Sequence, residues 1–266
     1  MRYAVIEGTG IRVSRISFGT ASLHHLFSRG ERQRVLRAAA AHGISHFDTS
    51  PLYGFGLAET ELGTLIGKDR GKFSISTKVG LYPAGGASQG TVAVWTRKLF
   101  GKVHLPLAAP VVDWRVTHAA NSLNASLRRL KTDYVDFLLL HEPDMGLIDK
   151  EAFLGWLERE KRAGKVRYWG LAGLPHQLEP WVSLAHPLGN VLQMRDDLSG
   201  KTPKFLTESG RDFQFTYGYL SSQGTESHGL PAKVVIRRAL EKNGCGSVIV
   251  STRKVERVRE LAEAVG

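Results

Sequence analysis

Short apolar runs alternate with amphipathic stretches along nearly the whole 266-residue chain. Runs at 16–20, 44–48, 73–78, 134–141, 166–172, 190–194, 212–217 and 247–251 predict strands. Stretches at 31–41, 58–67, 115–130, 150–163, 176–185, 204–209, 232–242 and 254–265 predict helices. Each predicted strand is followed by a predicted helix, eight times in order. Ahead of them, extended runs at 2–6 and 11–14 flank Gly8-Thr9-Gly10, whose turn chemistry predicts a hairpin.

This alternation implies a parallel sheet with helical crossovers. Tyr134-Val135-Asp136-Phe137-Leu138-Leu139-Leu140 is apolar almost throughout, as in a strand buried on both faces. Eight units predict an α/β fold closed as a (β/α)8 TIM barrel with an N-terminal β-hairpin. The length suits one such barrel domain, 1–266, since this fold typically takes about 250 residues. An open doubly wound sheet is the alternative, but it normally carries a glycine-rich turn after the first strand, and none stands there. One stretch breaks the rhythm. Residues 81–112 are rich in Gly, Ala, Pro and basic residues, with Trp95 and Phe100 inside. A loop this long in a compact domain is usually functional or mobile; it reads as a lid over the barrel mouth or as a disordered insert.

Composition narrows the setting. No run of about 20 apolar residues predicts a membrane helix, and residues 1–6 read as a strand rather than a signal peptide. The single cysteine, Cys245, cannot form an internal disulfide. Together these features predict a cytoplasmic protein. The net charge of +11 is spread in ones and twos, as at Arg128-Arg129 and Arg237-Arg238. A solvated basic surface, or attraction of a phosphate-bearing ligand, accounts for it better than a nucleic-acid site, which needs a contiguous basic stripe with stacking aromatics. No metal site is predicted. A thiolate cluster is excluded, and Gly43 separates His42 from His46. There is no P-loop and no GxSxG elbow.

The polar residues at strand ends carry the candidate chemistry. Asp48 ends the second unit's strand and Tyr53 lies in the loop after it; Lys78 ends the third strand and His141 the fourth. In a barrel these ends share the face that hosts catalysis. Singly, each has an ordinary structural explanation: a turn cap, a loop aromatic, a solvated lysine, a hydrogen-bonded histidine. Jointly, they propose a site.

At these residues the chain resembles the aldo-keto reductase family. Phe47-Asp48-Thr49-Ser50-Pro51-Leu52-Tyr53-Gly54 is similar to the segment that holds that family's catalytic Asp and Tyr. Ser76-Thr77-Lys78 matches its lysine strand, and 130–141 and 164–170 resemble its fourth and fifth strands. Gly54-Phe55-Gly56 looks like a dinucleotide loop but falls in the wrong context.

The resemblance implies reduction of a small-molecule aldehyde or ketone with NADPH, by a protein that is commonly a monomer. Tyr53 would be the general acid, with Lys78 lowering its pKa, Asp48 holding Lys78, and His141 orienting the carbonyl. Gly19, Thr20, Asp48, Gln193, Tyr217, Gly218, Leu220, Ser251, Thr252, Arg253 and Arg257 would form the cofactor site. Gln193 would meet the carboxamide, Tyr217 would stack on the ring, and 218–221 would follow the pyrophosphate. Arg253 and Arg257, beside a helix start, would take a 2′-phosphate. Ala21, Leu23, Leu81 and Tyr82 are candidate substrate contacts.

The chain also departs from the family pattern. Ala172-Gly173 stands where the family has Ser-Asn, Leu261 replaces an adenine-facing asparagine, and Gly218-Tyr219-Leu220 replaces a small residue followed by Pro-Leu. These changes keep a second possibility open: a cofactor-binding regulatory or redox-sensing relative with little turnover.

Overall fold

The computed structural model describes residues 1–84, 110–220 and 229–265. β1 (Tyr3–Val5) and β2 (Arg12–Ser14) form the antiparallel hairpin, in register Tyr3 to Ser14. Eight parallel strands then close a barrel. In barrel order they are β3 (Ile16–Gly19), β4 (His46–Asp48), β5 (Ser74–Val79), β8 (Val135–His141), β9 (Val166–Gly173), β10 (Val191–Arg195), β11 (Phe215–Tyr217) and β12 (Ser247–Val250). The expected architecture is the one observed.

A helix follows each barrel strand. These are α1 (Arg29–Ala41), α2 (Leu57–Ile66), α3 (Val116–Leu130), α4 (Lys150–Arg162), α5 (Pro175–Ser183), α6 (Lys204–Glu208), α7 (Ala232–Lys242) and α8 (Val255–Glu263). Local chemistry sets their starts. Ser28 accepts from the Glu31 amide at 3.1 Å while the Glu31 carboxylate accepts from the Ser28 amide at 3.2 Å. This capping box begins α1 earlier than periodicity predicts. Asp149 caps α4 through the Ala152 amide at 3.0 Å, and Pro175 opens α5.

The large core lies between strands and helices, with Phe18, Phe47, Leu138, Leu140, Phe153 and Trp181 fully buried. A smaller core fills the barrel itself. There Ile6 and Val13 of the hairpin region meet Phe137, Leu139, Phe215 and Ile249, so the hairpin closes the N-terminal end of the barrel. β8 is buried on both sides as expected, and its one carboxylate is paid for: Asp136 takes Arg70 at 2.7 Å, Arg167 at 3.1 Å and the Ile75 amide at 2.9 Å.

His46 also points into the barrel. Its ring nitrogens meet Ser74 Oγ at 2.9 Å and Ser76 Oγ at 3.0 Å, and it stacks on Phe215 at 4.7 Å. His42 lies elsewhere, at the end of α1, with Nδ1 2.8 Å from the Ala38 carbonyl. The ends of the irregular stretch meet as a two-stranded ribbon, β6 (Leu81–Tyr82) against β7 (Val111–Val112). The expected lid, with Trp95 and Phe100, lies outside the described residues. Among the described residues no helix is long and apolar enough to cross a membrane.

Candidate active site

The strand ends converge because the register staggers them to a common rim. Gly19 lies opposite Asp48, and Ala172 is paired with both His141 and Gln193. Thr20 bolts this rim together: its amide and its hydroxyl donate to the Asp48 carbonyl at 2.9 and 3.0 Å. The cavity above the rim has a volume of about 500 Å³, within the usual range for small-molecule sites.

Lys78 rises from β5 into the barrel mouth and is almost fully buried. Its ammonium donates to Asp48 Oδ1 at 2.6 Å and to the Thr49 carbonyl at 2.9 Å. The same ammonium sits 5.0 Å from the centre of the Tyr53 ring. The ring of His141 stands edge-on to Tyr53, with centroids 6.2 Å apart at 89°. All four predicted catalytic side chains therefore line one cavity.

Tyr53 is delivered by a tight turn. Its amide donates to the Ser50 carbonyl at 3.0 Å. Gly54, Phe55 and Gly56 then all adopt positive φ, at 62°, 58° and 84°, and Gly56 starts α2. A Cβ on Gly54 would lie 2.5 Å from His24 Cβ. The glycines serve a sharp strand-to-helix turn, not a dinucleotide loop.

The electrostatics depart from expectation at Tyr53. Its pKa is raised, first by burial and then by the Asp48 and Glu142 carboxylates. The predicted lowering by Lys78 is not what this structure gives. The Lys78 ammonium is paired with the Asp48 carboxylate and bonded to the Thr49 carbonyl, and burial dominates the net shift at the phenol. Burial also holds Asp48 above the usual carboxylate range, against the pull of Lys78. His141 is pushed down to about 3 by burial and by the Lys78 charge, so it is neutral near pH 7.

The expected cofactor residues divide into two groups. Gly19, Asp48, Gln193, Tyr217, Gly218, Leu220 and Ser251 line the cavity. Thr20, Thr252, Arg253 and Arg257 do not. Thr20 is buried behind the rim, Thr252 Oγ1 accepts from the Lys254 amide at 3.2 Å, Arg253 is exposed, and Arg257 lies 3.3 Å from Glu260.

Several features of the wall suit a ligand bearing a carboxamide and phosphates. Gln193 Oε1 is a buried acceptor with no partner, on the cavity wall. Gly19 and Gly218 leave the backbone bare. A Cβ on Gly19 would meet Ser251 Oγ at 2.6 Å, and one on Gly218, at φ 110°, would meet the Asp196 carbonyl at 3.0 Å. The segment around Gly218 is fixed from below, where Tyr219 donates to Asp196 Oδ2 at 2.6 Å and Lys242 to Oδ1 at 2.8 Å.

The departures are visible too. Ala172 offers no side-chain hydrogen bond, and Gln177 Oε1 lies 2.7 Å from where a Gly173 Cβ would stand. Leu261 is buried in the outer core.

The substrate side differs from the sequence reading. Ala21 lines the cavity, but Leu23, Leu81 and Tyr82 pack into the outer core, where Tyr82 stacks on His118 at 4.2 Å. Their apolar side chains gain more by facing the helical shell than the open rim. Ser22, His25 and Glu142 line the cavity instead. Glu142 was legible only through its place directly after His141.

The fold and the sequence have known counterparts. A holo-form aldo-keto reductase from Bacillus halodurans superposes with a TM-score of 0.78 at 19% identity, covering 100% of this chain and 91% of that one. An aldo-keto reductase from Klebsiella pneumoniae, solved in complex with NADPH, gives 0.72 at 20% identity, covering 100% and 90%. Among curated proteins, L-galactose dehydrogenase from Arabidopsis thaliana is 29% identical over 194 residues, covering 70% of this chain and 53% of that protein. D-threo-aldose 1-dehydrogenase from a Pseudomonas species is 32% identical over 174 residues, covering 62% and 51%. The chain thus spans about half the length of these curated relatives. The model of the aldo/keto reductase family matches residues 15–183. On that match, and on the barrel that carries it, the chain belongs to the aldo/keto reductase family.

Proposed function

We propose that the chain is an NADPH-dependent reductase of aldehydes or ketones, with Tyr53 as general acid. The observation that carries this reading is the arrangement around Lys78, bonded to Asp48 at 2.6 Å and facing the Tyr53 ring at 5.0 Å. His141 completes the same cavity wall.

In this reading, a carbonyl oxygen rests between the Tyr53 hydroxyl and the His141 ring. Neutral His141 offers an N–H donor that orients the carbonyl and polarises it. Burial keeps Tyr53 a phenol, so its proton is in place to pass to the oxygen as negative charge develops there. Asp48 and the Thr49 carbonyl hold the Lys78 ammonium beneath the phenol. There it stabilises the phenolate left after transfer, a state in which charge has appeared beside it. A nicotinamide dinucleotide, when bound, would supply the hydride that the carbonyl carbon needs.

For the dinucleotide, Gln193 would accept from the carboxamide and Tyr217 would cover the ring. Bare backbone at Gly19 and Gly218, with Leu220 and Ser251, would flank the phosphates. Thr252, Arg253 and Arg257 stand next along the chain at the start of α8, where the two guanidinium charges and the helix N-terminus favour a 2′-phosphate. Glu256 in the same first turn opposes it.

Titration of the protein with NADPH and NADH, then a carbonyl panel, tests the proposal. The expected result is tighter NADPH binding and turnover of at least one aldehyde. Ala172-Gly173 favours a second reading, a cofactor-binding regulator, because each missing hydrogen bond is worth about 0.5–1.5 kcal/mol of affinity. Single-turnover oxidation of bound NADPH separates the two: an enzyme oxidises it rapidly on mixing with a carbonyl, whereas a regulator does not.

A further inference from the structure

The carboxylates on the described cavity wall are simple to count: Asp48 and Glu142. Lys78 and Asp48 neutralise each other at 2.6 Å, and His141 is uncharged near pH 7 with its pKa at about 3. Among the described lining residues, Glu142 is then the remaining carboxylate, in a chain whose net charge is +11. The basic exterior attracts anions, while this one wall group works against their entry.

Glu142 is placed by its backbone. It holds a left-handed conformation, φ 52°, and its amide donates to the Ala172 carbonyl at 2.6 Å. A non-glycine residue in this region costs about 1–2 kcal/mol, and the bond across to β9 compensates. Glu142 also packs beside Gly173, whose position for a Cβ lies in ordinary contact, 3.5 Å, from Glu142 Cα. The carboxylate is thus carried on a fixed base directly after His141. Its field reaches both Tyr53 and Tyr217, opposing ionisation of each.

We infer that Glu142 sets the charge selectivity of the pocket, ranking carbonyl substrates cationic over neutral over anionic. This rests on the carbonyl-reductase reading above and deepens it to a substrate class: carbonyl compounds without a carboxylate or phosphate near the reacting carbon. A hydroxyl or ammonium group close to that carbon is a natural donor to the Glu142 oxygens. Glu142 is exposed, so solvent screens the effect to roughly three- to tenfold at low ionic strength.

The test uses three aldehydes of one shape and different charge: 4-(trimethylammonio)benzaldehyde, 4-nitrobenzaldehyde and 4-carboxybenzaldehyde. The ratio of kcat/KM for the cationic to the anionic aldehyde is measured in the wild-type protein and in Glu142→Gln. A wild-type ratio of roughly three- to tenfold at low ionic strength, shrinking toward one in Glu142→Gln and in high salt, is expected. A ratio near one, or a ratio unchanged in Glu142→Gln, overturns the inference. Calorimetric binding of the three matching benzyl alcohols reads the same preference without turnover. If NADPH binds and no aldehyde is reduced, the reductase reading fails, while equal affinities for the three alcohols overturn the role of Glu142 by themselves.

Discussion

The Lys78 ammonium lies 2.6 Å from the Asp48 carboxylate, and both side chains are withdrawn from solvent. Removing one partner of such a pair strands the other charge, at a cost of about 3–5 kcal/mol. Lys78→Met and Asp48→Asn should therefore each lower the free energy of unfolding by about that amount, as read by urea denaturation. The double variant Asp48→Asn/Lys78→Met should be more stable than the sum of the two losses predicts. Strict additivity would show that the two charges do not act as a pair.

The buried histidines predict a pH dependence. His46 and His141 are each held down to about 3, mainly by burial, against an ordinary value of 6.5. Between these values the unfolded chain takes up protons that the folded chain refuses. Stability is fully present above about pH 6.5 and falls as pH drops toward 3, by about 1.4 kcal/mol per pH unit for each histidine. Denaturation at pH 7, 6 and 5 should show this fall, and His46→Asn should reduce its slope. Stability that rises on acidification over this range would contradict the assignment.

Gly54 should tolerate no side chain. Its φ is 62°, and a Cβ would lie 2.5 Å from His24 Cβ. Gly54→Ala should destabilise the fold by roughly 1–3 kcal/mol and move the turn that carries Tyr53. Turnover should therefore drop by more than the affinity for NADPH, since the strain falls on the turn that carries Tyr53, the proposed acid, rather than on the wall around Gln193 and Gly218. Kinetic constants equal to those of the wild type would contradict this.

Ala172→Ser should tighten the site. Ala172 lines the cavity beside Gln193, and a hydroxyl there supplies a hydrogen bond that the wall lacks. A gain of about 0.5–1.5 kcal/mol is a roughly two- to tenfold lower Kd for NADPH. Gly173→Asn alone should not help, because Gln177 Oε1 stands in its way. Fluorescence titration of both variants checks this.

What could be read from the sequence follows from what is periodic and what is not. Eight apolar runs separated by amphipathic stretches announced the barrel, because burial on two faces leaves an uninterrupted apolar strand such as β8. The rim positions of Asp48, Lys78 and His141 followed from the strand ends alone. Boundaries were less legible. The capping box at Ser28 and Glu31 was present in the sequence, yet apolar spacing alone places the helix start later. Residues 212–214 look like strand, but Gln214 turns its amide to the Leu192 amide and the Glu7 carbonyl, and β11 begins only at Phe215.

The charge states were the least legible part. Whether Lys78 lowers or fails to lower the pKa of Tyr53 depends on which groups its ammonium already serves, and only the folded contacts decide that. Glu142 was overlooked for a related reason. A polar loop residue carries no periodic signal, and its importance comes from the wall it joins.

The most direct test is single-turnover oxidation of bound NADPH by a good aldehyde, compared between the wild-type protein and Tyr53→Phe. NADPH should bind both proteins with similar affinity, while oxidation in Tyr53→Phe should be at least about 10²-fold slower, the range expected for a lost general acid. Oxidation at the wild-type rate without the phenol would contradict the account.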